Sequence, residues 1–177
     1  KLLKINANIK LSFSIFMSGL AMSLTPGKMG EVLKSYMLKQ TIGESISKTA
    51  PIVLVERITD FLSLVLLSLI GAIYFNFGIN ATLIVGLFFL ILILVIGNKN
   101  LSLKIIDLLQ KIKYLNKHAK RLHDAYESSY VMLQIKPLIL MVLLSLVAWI
   151  FECVGFYYVL YNFDKNILFI LPIFVYS

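Results

Sequence analysis

The chain has 177 residues, of which 59% are apolar and only 15% charged, with a mean hydropathy of +0.88. A soluble domain averages about 45–50% apolar and about 25% charged, so an ordinary water-soluble fold is excluded and an all-α, polytopic membrane protein is predicted. The formal charge of +8 then reads as the lysine excess of cytoplasmic loops, and no nucleic-acid partner is expected.

The first element is the apolar run 11–24, LSFSIFMSGLAMSL. Fourteen residues cover about 21 Å at helical rise, short of the ~30 Å hydrocarbon core. Small residues recur at four-residue steps, Ser14/Ser18 and Gly19/Ser23, a spacing that allows close helix contact. If this run crossed the membrane, Lys1, Lys4 and Lys10 would lie outside, against the usual charge rule. If it dips in and returns, 15 of the 17 basic residues are cytoplasmic, leaving Lys165 outside and Arg57 within a span. A re-entrant hairpin over residues 11–40 is therefore predicted, with a short true span as the alternative.

The tip of that hairpin would be Thr25-Pro26-Gly27, in the stretch TPGKMGEVLKSYMLK. Non-helical backbone at membrane depth is tolerated only where protein buries it or water reaches it. Gly27 and Gly30 allow close backbone approach or positive φ. A helix starting near Lys28 would present its N-terminal amides to an anion, and Lys28 adds a full positive charge. The arrangement fits a phosphate headgroup; the competing reading is a cytoplasmic loop with solvated charges.

A transmembrane helix is predicted over 51–77, with Pro51 in its first turn. Glu56, Arg57 and Asp60 stand roughly 8 to 14 Å along it, in the stretch VERITD. Ionisable groups at depth are expensive unless paired or hydrated. Arg57 and Asp60, three apart, share a face. Glu56 and Asp60, four apart, repel if both are charged, so Glu56 needs Lys28 or Arg57 as partner. Such a cluster is either an interhelical lock or a polar cavity that handles a charged headgroup.

A second span is predicted over 79–97. The linker 98–136 carries eight Lys/Arg against Asp107, Asp124 and Glu127, which places it in the cytoplasm, as with the loop 25–50. Within it Leu101, Ile105, Leu108, Ile112 and Leu115 recur at helical steps, predicting an amphipathic helix that is either a connector on the membrane with no role beyond topology or a helix along anionic headgroups. The turns at 77–80 and 164–165 then face outward. A third span covers 137–161, and a further one, 167–177, is cut by the chain end; the sequence reads as a piece of a longer protein. Glu152, deep in the third span with Trp149 one turn before it, is predicted to be neutral, paired or cavity-facing.

Cys153 is the single cysteine, so no disulfide forms within the chain. His118 and His123, five apart on the basic linker, suit no standard metal pair. No small-residue cleavage site follows Lys1–Lys10. There is no phosphate-binding loop, dinucleotide glycine run or serine–histidine–acid set. No catalytic residue, metal or cofactor is predicted.

LTPGKMGEVLKSYMLK followed by SISKTAPIVLVERITDFLSL resembles the PG[RK]-x-GE…ER-x-x-D pattern of the transmembrane region of lysylphosphatidylglycerol synthetases. That region recurs in flippase-like integral membrane proteins of bacteria and archaea. LVAWIFECVGFYYVL resembles the family's later W-x-x-E helix, and the resemblance runs from about Leu11 to the chain end. It implies that Pro26, Gly27, Lys28, Gly30 and Glu31 form one motif, Glu56, Arg57 and Asp60 a second, and Glu152 a third. The implied activity is not enzymatic but translocation of a phosphate-bearing lipid, aminoacylated or polyprenyl-linked, in the cell membrane. Lysyl transfer is not implied, because the soluble transferase domain is absent here. The alternatives are a membrane accessory part of a lipid-modifying or glycosyl-transferring enzyme, and a scaffold whose charges only pair helices. Membrane lipids are the expected partners, with homo-oligomerisation left open.

Overall fold

The computed structural model describes residues 3, 5, 7–22, 29–110 and 119–177. Among them are eight helices and no strand: α1 (Ile9–Ala21), α2 (Met29–Ile42), α3 (Ile46–Phe75), α4 (Ile79–Gly97), α5 (Lys99–Gln110), α6 (Ala119–Met132), α7 (Ile135–Tyr161) and α8 (Ile170–Tyr176). Three of them, α3, α4 and α7, are long and apolar enough to cross a membrane. The chain divides into two compact units, residues 1–55 with 95–134, and residues 56–94 with 135–177.

In the first unit α1 packs on α2. α1 buries Ile15 and Gly19, four apart and so on one face. Ser14 and Ser18 do not serve that contact. Their hydroxyls turn back onto their own helix, donating to the carbonyls of Lys10 at 3.0 Å and Ser14 at 2.9 Å. Lys34 Nζ lies 5.4 Å from the ring centre of Phe16, a cation–π contact between the two helices. α1 and α2 are each about 20 Å long at 1.5 Å per residue.

The helix α3 begins five residues before Pro51, not at it. Its first turn is seeded at Ser45, whose carbonyl accepts from the amides of Lys48 at 3.1 Å and Thr49 at 3.2 Å. Lys48 reaches back to Glu44 at 2.9 Å. α5 and α6 pack on each other, and both are tied to the end of α4. Ser102 Oγ donates to the Val95 carbonyl at 2.7 Å and Tyr126 Oη to that of Ile96 at 3.3 Å. α5 is amphipathic, yet its packed face is Ser102/Ile106, whereas Leu101, Ile105 and Leu108 are exposed. Ile112 and Leu115 lie outside the described residues.

In the second unit α3 is the packed helix. Ile58, Thr59, Ser63, Leu67 and Ala72 are buried along it, whereas α4 buries no residue and α7 only Cys153. Helices apolar all round that bury almost none of their described residues suit a lipid surround. The α3–α4 turn closes on a left-handed Asn76 (φ 52°). The Phe77 amide donates to Ala72 and the Asn76 amide to Ile73, the paired pattern that satisfies the last carbonyls of a helix. α3 and α4 then run side by side. Ser68 and Thr82 hydroxyls meet at 3.3 Å and the rings of Phe61 and Phe89 stack at 5.1 Å. α3 joins α7 through Ser63 Oγ, which donates to the Val142 carbonyl at 3.1 Å.

Candidate functional site

The charged segment of α3 forms one connected cluster. The Arg57 guanidinium lies 3.3 Å from Asp60 Oδ2 through Nη1 and 3.9 Å from Glu56 Oε1 through Nη2. Helical rise accounts for this, since residues three apart stand one above the other, and the long guanidinium arm also reaches its neighbour. The repulsion predicted between Glu56 and Asp60 is thus offset by the cation between them. Asp60 Oδ1 takes a further hydrogen bond from Ser145 Oγ on α7 at 2.8 Å. Asp60 is the anchored member, with its side chain 19% exposed against 34% for Arg57 and 37% for Glu56.

Below the cluster runs a ladder of hydroxyls. Thr59 Oγ1 donates to the Glu56 carbonyl at 2.9 Å, and Ser63 Oγ donates to that of Thr59 at 2.9 Å as well as to Val142. These bonds let small polar side chains lie buried in an apolar helix without orphaned oxygens.

The contacts between α3 and α4 fix the depth of the cluster. Phe61 against Phe89, Ser68 against Thr82, and Val65 against Gly86 follow one antiparallel register. Asp60 is therefore level with Leu90, and Glu56 with Leu94. The sequence around them, LILILVIG, is wholly apolar. Measured along α4, Asp60 stands about 10 Å and Glu56 about 5 Å inside the end of the apolar helix.

Glu152 lies elsewhere on α7, two turns beyond Ser145 on the same face. It is exposed, and Tyr176 Oη of α8 donates to its Oε2 at 3.4 Å. The Tyr176 ring rests against Trp149 at 5.8 Å and Phe156 at 5.6 Å. Of the sequence-predicted residues, then, Glu56, Arg57 and Asp60 are brought together, and Glu152 has its own aromatic surround. Gly30 and Glu31 fall on α2, and Pro26, Gly27 and Lys28 lie outside the described residues. Sequence reasoning missed Ser145 and Tyr176. Ser145 carried a signal, a hydroxyl seven residues before Glu152 in an apolar span. Tyr176 carried none beyond its aromatic character. Among the described residues no group of histidine, cysteine and acidic side chains is arranged to hold a metal.

A family model described as the lysylphosphatidylglycerol synthase TM region matches residues 1–176. The chain belongs to this family. It is a multi-pass membrane protein of the lysylphosphatidylglycerol synthase TM family. A family relative of similar sequence is the UPF0104 membrane protein MJ1078 of Methanocaldococcus jannaschii, 28% identical over 157 residues, covering 82% of this chain and 62% of that protein. The chain thus spans under two thirds of the curated relative's length. No solved structure matches it.

Proposed function

We propose that this family member is a lipid translocase-like protein of the cell membrane, in which Glu56, Arg57 and Asp60 form a polar step for a phosphate-bearing headgroup. The observation that carries the reading is a partly exposed ion cluster level with apolar helix. Charged side chains at that depth mark substrate or ion pathways more often than structural joints. The Arg57 side chain remains about a third exposed, and the planar fork of a guanidinium suits a phosphate oxygen pair. At about 5 to 10 Å inside the apolar run, the step is within reach of a headgroup entering from the nearer surface. With the loops 25–50 and 98–136 on the cytoplasmic side, that surface is the inner one. The lipid chemistry is that of an aminoacylated or polyprenyl-linked phosphate, and the role is transport, not catalysis.

The test is flipping of dye-labelled phosphatidylglycerol in proteoliposomes, read by dithionite quenching of the outer leaflet. Arg57→Ala should cut the flipping rate at least tenfold. Exchanging the pair, Arg57→Asp with Asp60→Arg, keeps the ion pair but moves the cation one turn, and should also abolish flipping. Wild-type rates in the exchanged variant would show instead that the cluster only joins helices.

A further inference from the structure

A second candidate site stands in the first unit. A cavity of about 740 Å³ opens there between the start of α3 and α6, within the 300–1,000 Å³ range of ligand pockets. Its polar lining is cationic and hydroxylic: Lys39 from the end of α2, Arg121 from α6, and Ser45 and Ser47 at the start of α3. Its floor is apolar, with Pro51, Leu54 and Leu122. No carboxylate lines it among the described residues. The nearby Glu44 is engaged by Lys48 at 2.9 Å, and Lys39 and Arg121 make no ion pair among the described residues.

The depth of this cavity is set by one of its own walls. Tyr126 lines it and donates to the carbonyl of Ile96, one residue from the end of the apolar α4. The cavity therefore lies where an apolar span meets the polar phase. On α5, packed against α6, the exposed stripe Leu101/Ile105/Leu108 has Lys104 beside it, the pattern of a helix lying in the membrane surface. Two cations with no ion pair among the described residues, together with an apolar floor at the end of a span, select one kind of molecule.

We infer that this cavity binds one anionic phospholipid of the cytoplasmic leaflet, its phosphate between Lys39 and Arg121 and its upper acyl chain against Pro51, Leu54 and Leu122. The inference is independent of whether the Glu56/Arg57/Asp60 cluster moves lipid. Free phosphate shares the charge but leaves the floor empty, and a phosphocholine lipid shares the chain but brings its own cation.

Native mass spectrometry of the detergent-purified full chain tests this by titration with phosphatidylglycerol, phosphatidylcholine and water-soluble glycerophosphoglycerol. The wild type should retain one more phosphatidylglycerol than a Lys39→Gln/Arg121→Gln variant, whose affinity at that site falls about 30-fold, from two cations at about 1 kcal/mol each. Phosphatidylcholine should bind equally weakly to both, and the soluble glycerophosphodiester should not compete. The charge-keeping variant Lys39→Arg/Arg121→Lys should retain the lipid, which separates loss of charge from loss of fold. Equal retention by wild type and the glutamine variant would overturn the inference, as would equal binding of the two lipids. Full competition by the soluble headgroup would refute the lipid assignment.

Discussion

A tight approach between helices of the second unit occurs at Gly71 of α3. A Cβ placed there would meet Phe174 of α8 at 2.5 Å from its Cβ, 2.7 Å from Cδ2 and 2.9 Å from Cα. The last of these is backbone, so rotating the phenyl ring does not relieve the clash. Two other helical glycines of the same unit serve as references. At Gly86 the added atom meets only the tip of Val65, at 3.0 Å, and at Gly155 it meets nothing within 4 Å. Gly→Ala in a helix is favoured by about 1 kcal/mol through backbone entropy, a contribution common to all three. The difference between Gly71→Ala and Gly155→Ala therefore isolates the steric cost, about 1–3 kcal/mol for overpacking. At roughly 2–4 °C per kcal/mol for a chain of this size, Gly71→Ala should melt about 2–12 °C below Gly155→Ala in detergent, with Gly86→Ala near the latter. Adding Phe174→Ala to Gly71→Ala removes the ring but keeps the two clashing atoms nearest the backbone, so rescue should be partial. Coincident melting of Gly71→Ala and Gly155→Ala would refute the close α3–α8 approach.

Two further outcomes follow from hydrogen bonds and faces. Ser145→Ala removes the 2.8 Å bond to Asp60 and should lower stability by about 1–2 kcal/mol, between the value for a membrane helix pair and that for a bond to a charged group; Ser145→Thr should recover it, and a melting curve unchanged in the alanine variant would deny the bond. A nitroxide placed at residue 101, 105 or 108 in nanodiscs should relax faster with oxygen than with a water-soluble nickel chelate, and one at 104 or 107 the reverse; identical behaviour at all five positions would remove α5 from the membrane surface.

The membrane class was legible because 20-residue apolar runs have few alternatives, and the motif residues were legible because charges in such runs are conspicuous. What the sequence withheld was vertical position and direction. The prediction set Pro51 at a helix start, yet the helix begins at Ile46, since Ser45 and the Glu44–Lys48 pair hold a turn that hydropathy does not reveal. α5 has an apolar arc wider than any one partner covers, so periodicity finds the arc but cannot say that Ser102 and Ile106 face inward and Leu101, Ile105 and Leu108 outward. Ser145 became a ligand of Asp60 only through the pairing of α3 with α7, a contact 85 residues apart. The cationic cavity was invisible for the same reason, as Lys39 and Arg121 look like ordinary loop charges until α6 is set beside α3.

The choice between a lock and a site turns on exposure. A lock between α3 and α7 is available at little cost, and the chain already has one in Ser63, fully buried and bonded to the Val142 carbonyl. Three charged side chains in the same helix are a dearer device, each costing about 2.5–3.5 kcal/mol at the centre of a bilayer and less near its surface. Such a cost is recovered by a structural joint only where the pair is sealed and fully hydrogen-bonded. Here the exposure is uneven across the cluster. Asp60 is held by Arg57 and Ser145, while Arg57 and Glu56 remain about a third exposed. In the proposed translocation reading the anchored carboxylate is the positioning residue, holding the guanidinium at a set height in the apolar helix for an incoming headgroup. A cluster built only to join helices has no need of that asymmetry.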